Sequence, residues 1–365
     1  MKVLHVQECP SWGGGSVQLI ELAKGLVSRG HEAHIATDPG NELWKRARAA
    51  GLPLVGIETR SELNPAAIGR LAGVVLGRGI DIVNAHAAHA HSIGLAAAAL
   101  TGRPFVLTRR VSFTPRDNAG SRLKYTAKAV TRVIAVSEAI RDVLVRYGVD
   151  PERIDVVYSG TDPAVFQRAD GKDVRRAFGV AGNDVLVGKL ANRYHSWKGH
   201  DTFVDAARIV LESRDDVVFA VVGKRTDDDR MEELVRAAGV ERSFVLAGHR
   251  DDVPSVLSAF DVSVNASRAG EGLSGAVRES MAAGRPVVAT DVGGNREIVE
   301  DGVTGKLVPP ADPPALAAAL LEVVEDPEAA HRMGAAAAEL VRRRFTVDHM
   351  VERTIEVYGR ALGRD

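Results

Sequence analysis

Val262-Ser263-Val264-Asn265-Ala266-Ser267-Arg268-Ala269-Gly270-Glu271-Gly272-Leu273-Ser274-Gly275-Ala276-Val277-Arg278-Glu279 reads as a short strand, a glycine-rich loop and the opening of a helix. Gly270, Gly272 and Gly275 make the loop flexible. The helix behind them offers unpaired backbone N–H groups and the positive end of its dipole, which together favour an anion. Glu271 sits in the loop and Glu279 on the helix. Paired carboxylates accept hydrogen bonds from the vicinal hydroxyls of a sugar or a ribose. Taken alone, the same two acids also fit a helix cap and a surface glutamate.

The same strand–loop–helix unit recurs outward in both directions. Val185-Leu186-Val187, Val217 to Val222, Phe244-Val245-Leu246 and Val287-Val288-Ala289 are further strand candidates with helical segments between them. Nearer the N-terminus, Val3 to Val6, His34-Ile35-Ala36, Ile82-Val83, Phe105-Val106-Leu107 and Val133 to Val136 repeat the pattern. Val17 to Val27 reads as a helix with Leu19, Leu22, Ala23 and Leu26 on one face and Gly30 as its stop. Such alternation predicts parallel sheets with helices on both faces. The rhythm pauses at Ser159-Gly160-Thr161-Asp162-Pro163, which predicts two doubly wound domains and a linker around 160–170. Ligands of such sheets sit at the carboxyl ends of the strands. Ala315 to Val324, Ala329 to Arg343 and Val347 to Leu362 read as closing helices.

The bulk numbers agree with a soluble globular protein of about two domains: 365 residues, 45% hydrophobic and 26% charged. A formal net charge of −1 gives no field for nucleic acid. Cys9 is the only cysteine, which excludes an intrachain disulfide and a cysteine metal cluster. The opening Lys2 to Val6 run is too short for a signal peptide, and Gly94 to Leu100 is too short for a membrane span of roughly 20 residues. The expectation is a cytoplasmic protein. One local bias stands out between Arg103 and Arg132, where Arg109, Arg110, Arg116, Arg122, Lys124 and Lys128 face only Asp117. It reads as a solvated face, or as an electropositive surface for an anionic acceptor or an acidic membrane. Arg109 and Arg110 follow a strand and are the candidate acceptor-binding cations.

Three more constellations carry chemistry. Trp12-Gly13-Gly14-Gly15 lies between the first strand and the first helix, a tight turn or a phosphate site. The dinucleotide fingerprint needs a third glycine where Gln18 stands, although Asp38 follows the second strand as a ribose-binding acid would. Arg193 and Lys198, five residues apart beside a helix start, could clamp a diphosphate. His86, His89 and His91 cluster after a strand without a neighbouring carboxylate or cysteine. No zinc spacing matches them, and His86, nearest the strand end, is the one that could point into a cleft.

Glu271 and Glu279, separated by seven residues and followed by Ser280-Met281-Ala282-Ala283-Gly284-Arg285-Pro286 and on to Gly294, resemble the signature of glycosyltransferase family 4. The Arg193/Lys198 spacing, His86, the Gly13-Gly14 loop, Gly302-Val303-Thr304-Gly305 and the Phe345 to Leu362 helix agree with it. The resemblance implies the GT-B fold, two Rossmann-like domains facing across a cleft. It implies an acceptor domain over 1–165, a donor domain over 166–344, and a final helix, 345–365, returning to the first domain. It also implies a retaining, metal-independent transferase with no cofactor, taking a UDP-, GDP- or ADP-linked sugar to a glycan, lipid-linked or small-molecule acceptor. By that resemblance Arg193 and Lys198 hold the diphosphate, Glu279 the ribose and Glu271 the donor sugar. Backbone groups of Gly272, Leu273, Ser274 and Gly275 support the sugar and phosphates, and Gly13 and Gly14 approach from the other domain. His86 contacts the sugar near the reacting carbon, and Arg250 lies near the nucleoside pocket. Ser159 to Asp162 stands where Asn-Gly-Val-Asp is usual, Ala266-Ser267 where Pro-Ser is, and Ser280 where Ala is. Thr108-Arg109-Arg110-Val111 resembles bacterial members that act on lipopolysaccharide or other surface glycans. Two readings stand beside this one: a nicotinamide-dependent oxidoreductase with tandem Rossmann units, and a non-catalytic nucleotide-sugar binding protein.

Overall fold

The computed structural model describes residues 1–58, 61 and 64–364. The chain divides into two units, Met1–Gly160 with the chain from Val347 onward, and Thr161–Thr346. The divisions thus fall at 160/161 and 346/347 rather than at 165/166 and 344/345. The cause is local: the Thr161 N–H donates to the Phe345 carbonyl at 2.8 Å, and Thr161 bridges Thr346, so both chain ends of the second unit are tied together.

In the first unit, strands β1 (Lys2–Val6), β2 (Glu32–Thr37), β3 (Leu54–Gly56), β4 (Ile82–Ala85), β5 (Phe105–Arg109), β6 (Val130–Ala135) and β7 (Ile154–Val156) form one parallel sheet in the order β3-β2-β1-β4-β5-β6-β7. In the second, β8 (Val185–Leu190), β9 (Val217–Val222), β10 (Phe244–Leu246), β11 (Val262–Asn265), β12 (Val287–Thr290) and β13 (Gly305–Val308) run parallel in the order β10-β9-β8-β11-β12-β13. Both orders reverse once, between β1 and β4 and between β8 and β11. Each unit is therefore a doubly wound Rossmann-like sheet.

Helix Gly14–Ser28 buries Leu19, Leu22, Ala23 and Leu26, the face its periodicity marks, and Gly30 beyond it turns the chain at φ +78°. The last helix, Val347–Ala361, packs on this one: a Cβ on Gly25 would stand 2.4 Å from Val351 Cγ2. Its Tyr358 is fully buried and donates to Asn84 Oδ1 at 2.8 Å, while Arg360 reaches Asp155 at 2.7 Å. In the second unit, Phe203, Phe219 and Phe244 meet within 6.0 Å between ring centroids and anchor the core under β9. Among the described residues no helix is long and apolar enough to cross a membrane.

Candidate functional site

In a doubly wound sheet the crevice for a ligand opens where the strand order reverses, outside the carboxyl ends. In the second unit that point lies between the loops following β8 and β11. Gly199, in the first loop, has φ +62°, and a Cβ there would lie 1.9 Å from the Ala266 carbonyl oxygen in the second. Only glycine lets the two loops close together. That approach brings the Lys198 ammonium to 2.6 Å from Glu271 Oε1, with the ammonium also 4.3 Å above the Trp197 ring.

Glu271 is only 6% exposed. Its Oε1 also accepts from Ser267 Oγ at 2.6 Å and from Asn265 Nδ2 at 3.5 Å. Burial pushes the carboxyl up, but the Lys198 charge and the hydrogen bonds from Lys198, Ser267 and Asn265 outweigh it and hold the group below the usual glutamate range. Among the described residues no hydrogen bond reaches Oε2. Asn265 Nδ2 donates to Ser274 Oγ at 3.0 Å, and Ser274 caps helix Gly275–Ala282 by accepting from the Val277 N–H. The first N–H groups of that helix remain for a ligand. Glu279 lies one turn along, partly buried, and burial raises its carboxyl above the usual range against the pull of Arg278. Arg278 itself is buried and donates to Thr161 Oγ1 at 2.6 Å.

Two expected donor contacts lie outside this network. Arg193 is held by both oxygens of Asp228 and by the Arg225 carbonyl at 2.8 Å. A phosphate would have to displace Asp228 to take it. Arg250, after β10 at the sheet margin, pairs with Asp252 at 2.8 and 2.6 Å.

In the first unit the reversal falls between the loops after β1 and β4. Gly13 and Gly14 have neither a positive φ nor any atom within 4 Å of an added Cβ, so packing and turning do not require glycine there. A Cβ on Gly15 would lie 3.6 Å from Arg110 Cδ. Arg110 reaches Ser159 Oγ at 3.3 Å and His86 Nδ1 at 3.4 Å, and His86 Nε2 meets His5 Nδ1 at 3.0 Å. A guanidinium only donates, so His86 Nδ1 accepts and its Nε2 carries the proton given to His5. Burial lowers both imidazoles, His5 to about 3, so each is neutral. Both ring nitrogens of His86 are thereby engaged inside this unit. In this arrangement His86 orients Arg110.

Arg109, the other candidate acceptor cation, ends β5 buried, bonded to the Tyr125 hydroxyl and the Phe113 carbonyl. His91 donates from Nε2 to the Thr108 carbonyl at 3.2 Å, and His89 stands 3.6 Å from Glu8. Among the described residues no group of three or more His, Cys, Asp or Glu is placed to hold a metal. Cys9 is buried, its Sγ 3.4 Å from the Ser11 carbonyl. Gln18 uses its amide on both polar groups of Gly160, donating at 2.8 Å and accepting at 2.9 Å. The place that a dinucleotide fold gives to a packing glycine is thus occupied by a side chain fastening the end of the unit.

Sequence reasoning missed Asn265, Ser267 and Gln18. A polar residue closing an otherwise apolar strand, as Asn265 closes β11, was the available signal for the first.

The chain is similar to known proteins over nearly all its length. The family model "Glycosyltransferase Family 4" matches residues 12–165 and "Glycosyl transferases group 1" matches residues 185–326. The 2-deoxystreptamine N-acetyl-D-glucosaminyltransferase of Streptomyces fradiae is 32% identical, over 96% of this chain and 92% of that protein. The D-inositol 3-phosphate glycosyltransferase of Thermomonospora curvata is 28% identical, over 95% and 90%. Among solved structures, Anabaena HepE in complex with UDP superposes with a TM-score of 0.85 at 25% identity, covering 98% of this chain and 99% of that one. A Rickettsia africae glycosyltransferase shares the fold, with a TM-score of 0.89 at 22% identity over 100% and 99%. The chain belongs to the group 1, family 4 glycosyltransferases, and it is a GT-B enzyme that uses a nucleotide-sugar donor.

Proposed function

We propose that the protein is a retaining, metal-independent hexosyltransferase whose second unit holds a UDP-sugar and whose first unit receives a hydroxylated acceptor. The observation that carries this reading is the Lys198–Glu271 pair, 2.6 Å apart, joined to Asn265, Ser267 and Ser274 at the reversal of the second sheet. Lys198 and the N-terminus of helix Gly275–Ala282 stabilise the negative charge that develops on the diphosphate as the sugar–phosphate bond breaks. Glu271, fixed through Oε1, offers Oε2 to the sugar hydroxyls. Glu279 takes the ribose. The departing diphosphate accepts the proton of the attacking hydroxyl on the same face, which retains configuration without a separate base or a cofactor.

UDP as the nucleotude partner is supported by its presence in the HepE complex. The names of the relatives, with 2-deoxystreptamine and inositol phosphate, support a small polyhydroxylated ring as acceptor, ahead of a lipopolysaccharide or other surface glycan. Arg110, oriented by His86, is the acceptor-side cation. The exposed Val111, Phe113 and Leu123, in the same stretch of sequence as the exposed Arg116 and Lys128, support peripheral contact with an anionic membrane face from the cytoplasm. The test is transfer from UDP-glucose and UDP-N-acetylglucosamine to inositol phosphate and 2-deoxystreptamine, with EDTA present, read by NMR of the new anomeric centre. An α-linked product formed in EDTA is the expected result. A β-linked product or an absolute need for magnesium overturns the mechanism.

A further inference from the structure

Successive side chains of a strand alternate between the faces of its sheet. On β8, Leu186 packs among Val256, Leu257 and Phe260, and a Cβ on Gly188 would lie 2.2 Å from the Phe260 ring. Val187 packs on the opposite face with Phe203, Val204 and Ala207 of helix His200–Leu211. Lys189 therefore shares the Val187 face, at the carboxyl end of β8, where the sheet order reverses. It is 1% exposed, and among the described residues no hydrogen bond or ion pair partners its ammonium.

Its charged neighbours are already committed. Glu271 is paired with Lys198 at 2.6 Å, and Asp201 with Arg268 at 2.7 Å. Arg193 is paired with Asp228. His200, at the head of the covering helix, is buried and neutral, its pKa lowered to about 3 by burial and then by Lys189. The adjoining strands β9 and β11 bring no titratable group, and helix Pro313–Glu325 presents Leu316, Ala317, Leu320 and Val323 inward. A buried cation without a counter-ion is costly, and the group sheds its proton instead. Burial, and then the Lys198 charge, lower the Lys189 pKa to about 7, while Glu271 and Asp201 pull the other way.

We propose that Lys189 is the buried electrostatic floor of the donor site, an amine that takes up a proton from solvent when the diphosphate of a nucleotide settles above it beside Lys198. The inference rests on the reading of this crevice as the diphosphate site. Lys189 acts through its field on the bound phosphates and is a positioning residue. Incoming negative charge favours the ammonium, so the amine's pKa rises on binding. Above about pH 7 nucleotide affinity then falls with pH, by at most about tenfold per unit.

The experiment is calorimetric titration of UDP into the full chain at about pH 6.5 and about pH 8, each in two buffers of different ionisation enthalpy. The wild type is expected to take up most of a proton per UDP at the higher pH and much less at the lower. Lys189→Met, near-isosteric and uncharged, is expected to bind UDP with no such uptake at the higher pH and with a flat affinity; it also corrects for UDP's own terminal phosphate. Equal proton uptake by wild type and Lys189→Met overturns the inference and leaves the donor site standing. Should the variant not fold, absence of wild-type uptake at the higher pH overturns it equally. No binding of UDP, GDP or ADP by the wild type overturns the donor-site reading and this inference together.

Discussion

Lys198 and Gly199 are neighbours in sequence and carry different burdens. In the proposed mechanism Lys198 supplies charge to the leaving diphosphate, and its ammonium lowers the Glu271 carboxyl. Lys198→Ala is expected to cost about 2–4 kcal/mol of transition-state stabilisation in kcat, as loss of a preorganised oxyanion donor does. It should also leave only the Ser267 and Asn265 hydrogen bonds to oppose burial at the Glu271 carboxyl, so that its pKa rises and donor binding weakens as pH falls through the new value; a pH profile of UDP-sugar KM in the variant checks this. Gly199→Ala would push its Cβ against the Ala266 carbonyl and part Lys198 from Glu271. A displacement of about 1 Å at such a pair is expected to lower kcat about a hundredfold. Steady-state rates on the folded variant, with wild-type turnover as the contrary result, decide it. At this scale the sequence was partly legible. Glu271 and Glu279 stand out because a glycine loop introduces them. The burial of Arg109 was not legible, because a cation closing a strand looks the same in sequence whether it turns outward or, as here, inward to Tyr125.

Elements were more legible than residues. Long apolar runs such as Val217–Val222 read directly as strands, whereas Leu54–Gly56, Ile154–Val156 and Gly305–Val308 are short strands at sheet edges with too few residues for a pattern. Helix Gly14–Ser28 could be drawn from its apolar stripe, but the purpose of Gln18 on it could not, because its partner lies 142 residues away. Replacing Gln18 with Met strips both polar groups of Gly160 of their partner in a buried setting. The expected loss is about 2–3 kcal/mol, two orphaned backbone groups at the lower end of their usual penalty. Urea unfolding of wild type and variant measures it, and equal midpoints would show that water replaces the amide.

For the molecule as a whole, buried histidines, His86 among them, set an acid limit. His5 and His91 in the first unit and His200 in the second are buried, each pushed by burial to about 3 from an ordinary 6.5. Above 6.5 neither folded nor unfolded chain protonates them, and the stability they permit is complete. As pH falls below 6.5 the unfolded chain takes up protons that the folded chain refuses, so stability is lost down to about 3. Each group contributes about 1.4 kcal/mol per pH unit, about 4 kcal/mol per unit for the three. Denaturant midpoints at about pH 7 and about pH 5.5 should differ steeply, and replacing His91 with Gln should soften the slope.

Cys9 has a practical consequence of a different kind. A thiol this buried is shielded from bulky electrophiles, and the chain has no other. One cysteine introduced on an exposed helix face would be the sole fast-reacting handle, so a fluorophore could be attached at one position without first building a cysteine-free background. Placed near Trp197, such a label would turn nucleotide arrival into an optical signal from the unmodified active-site machinery.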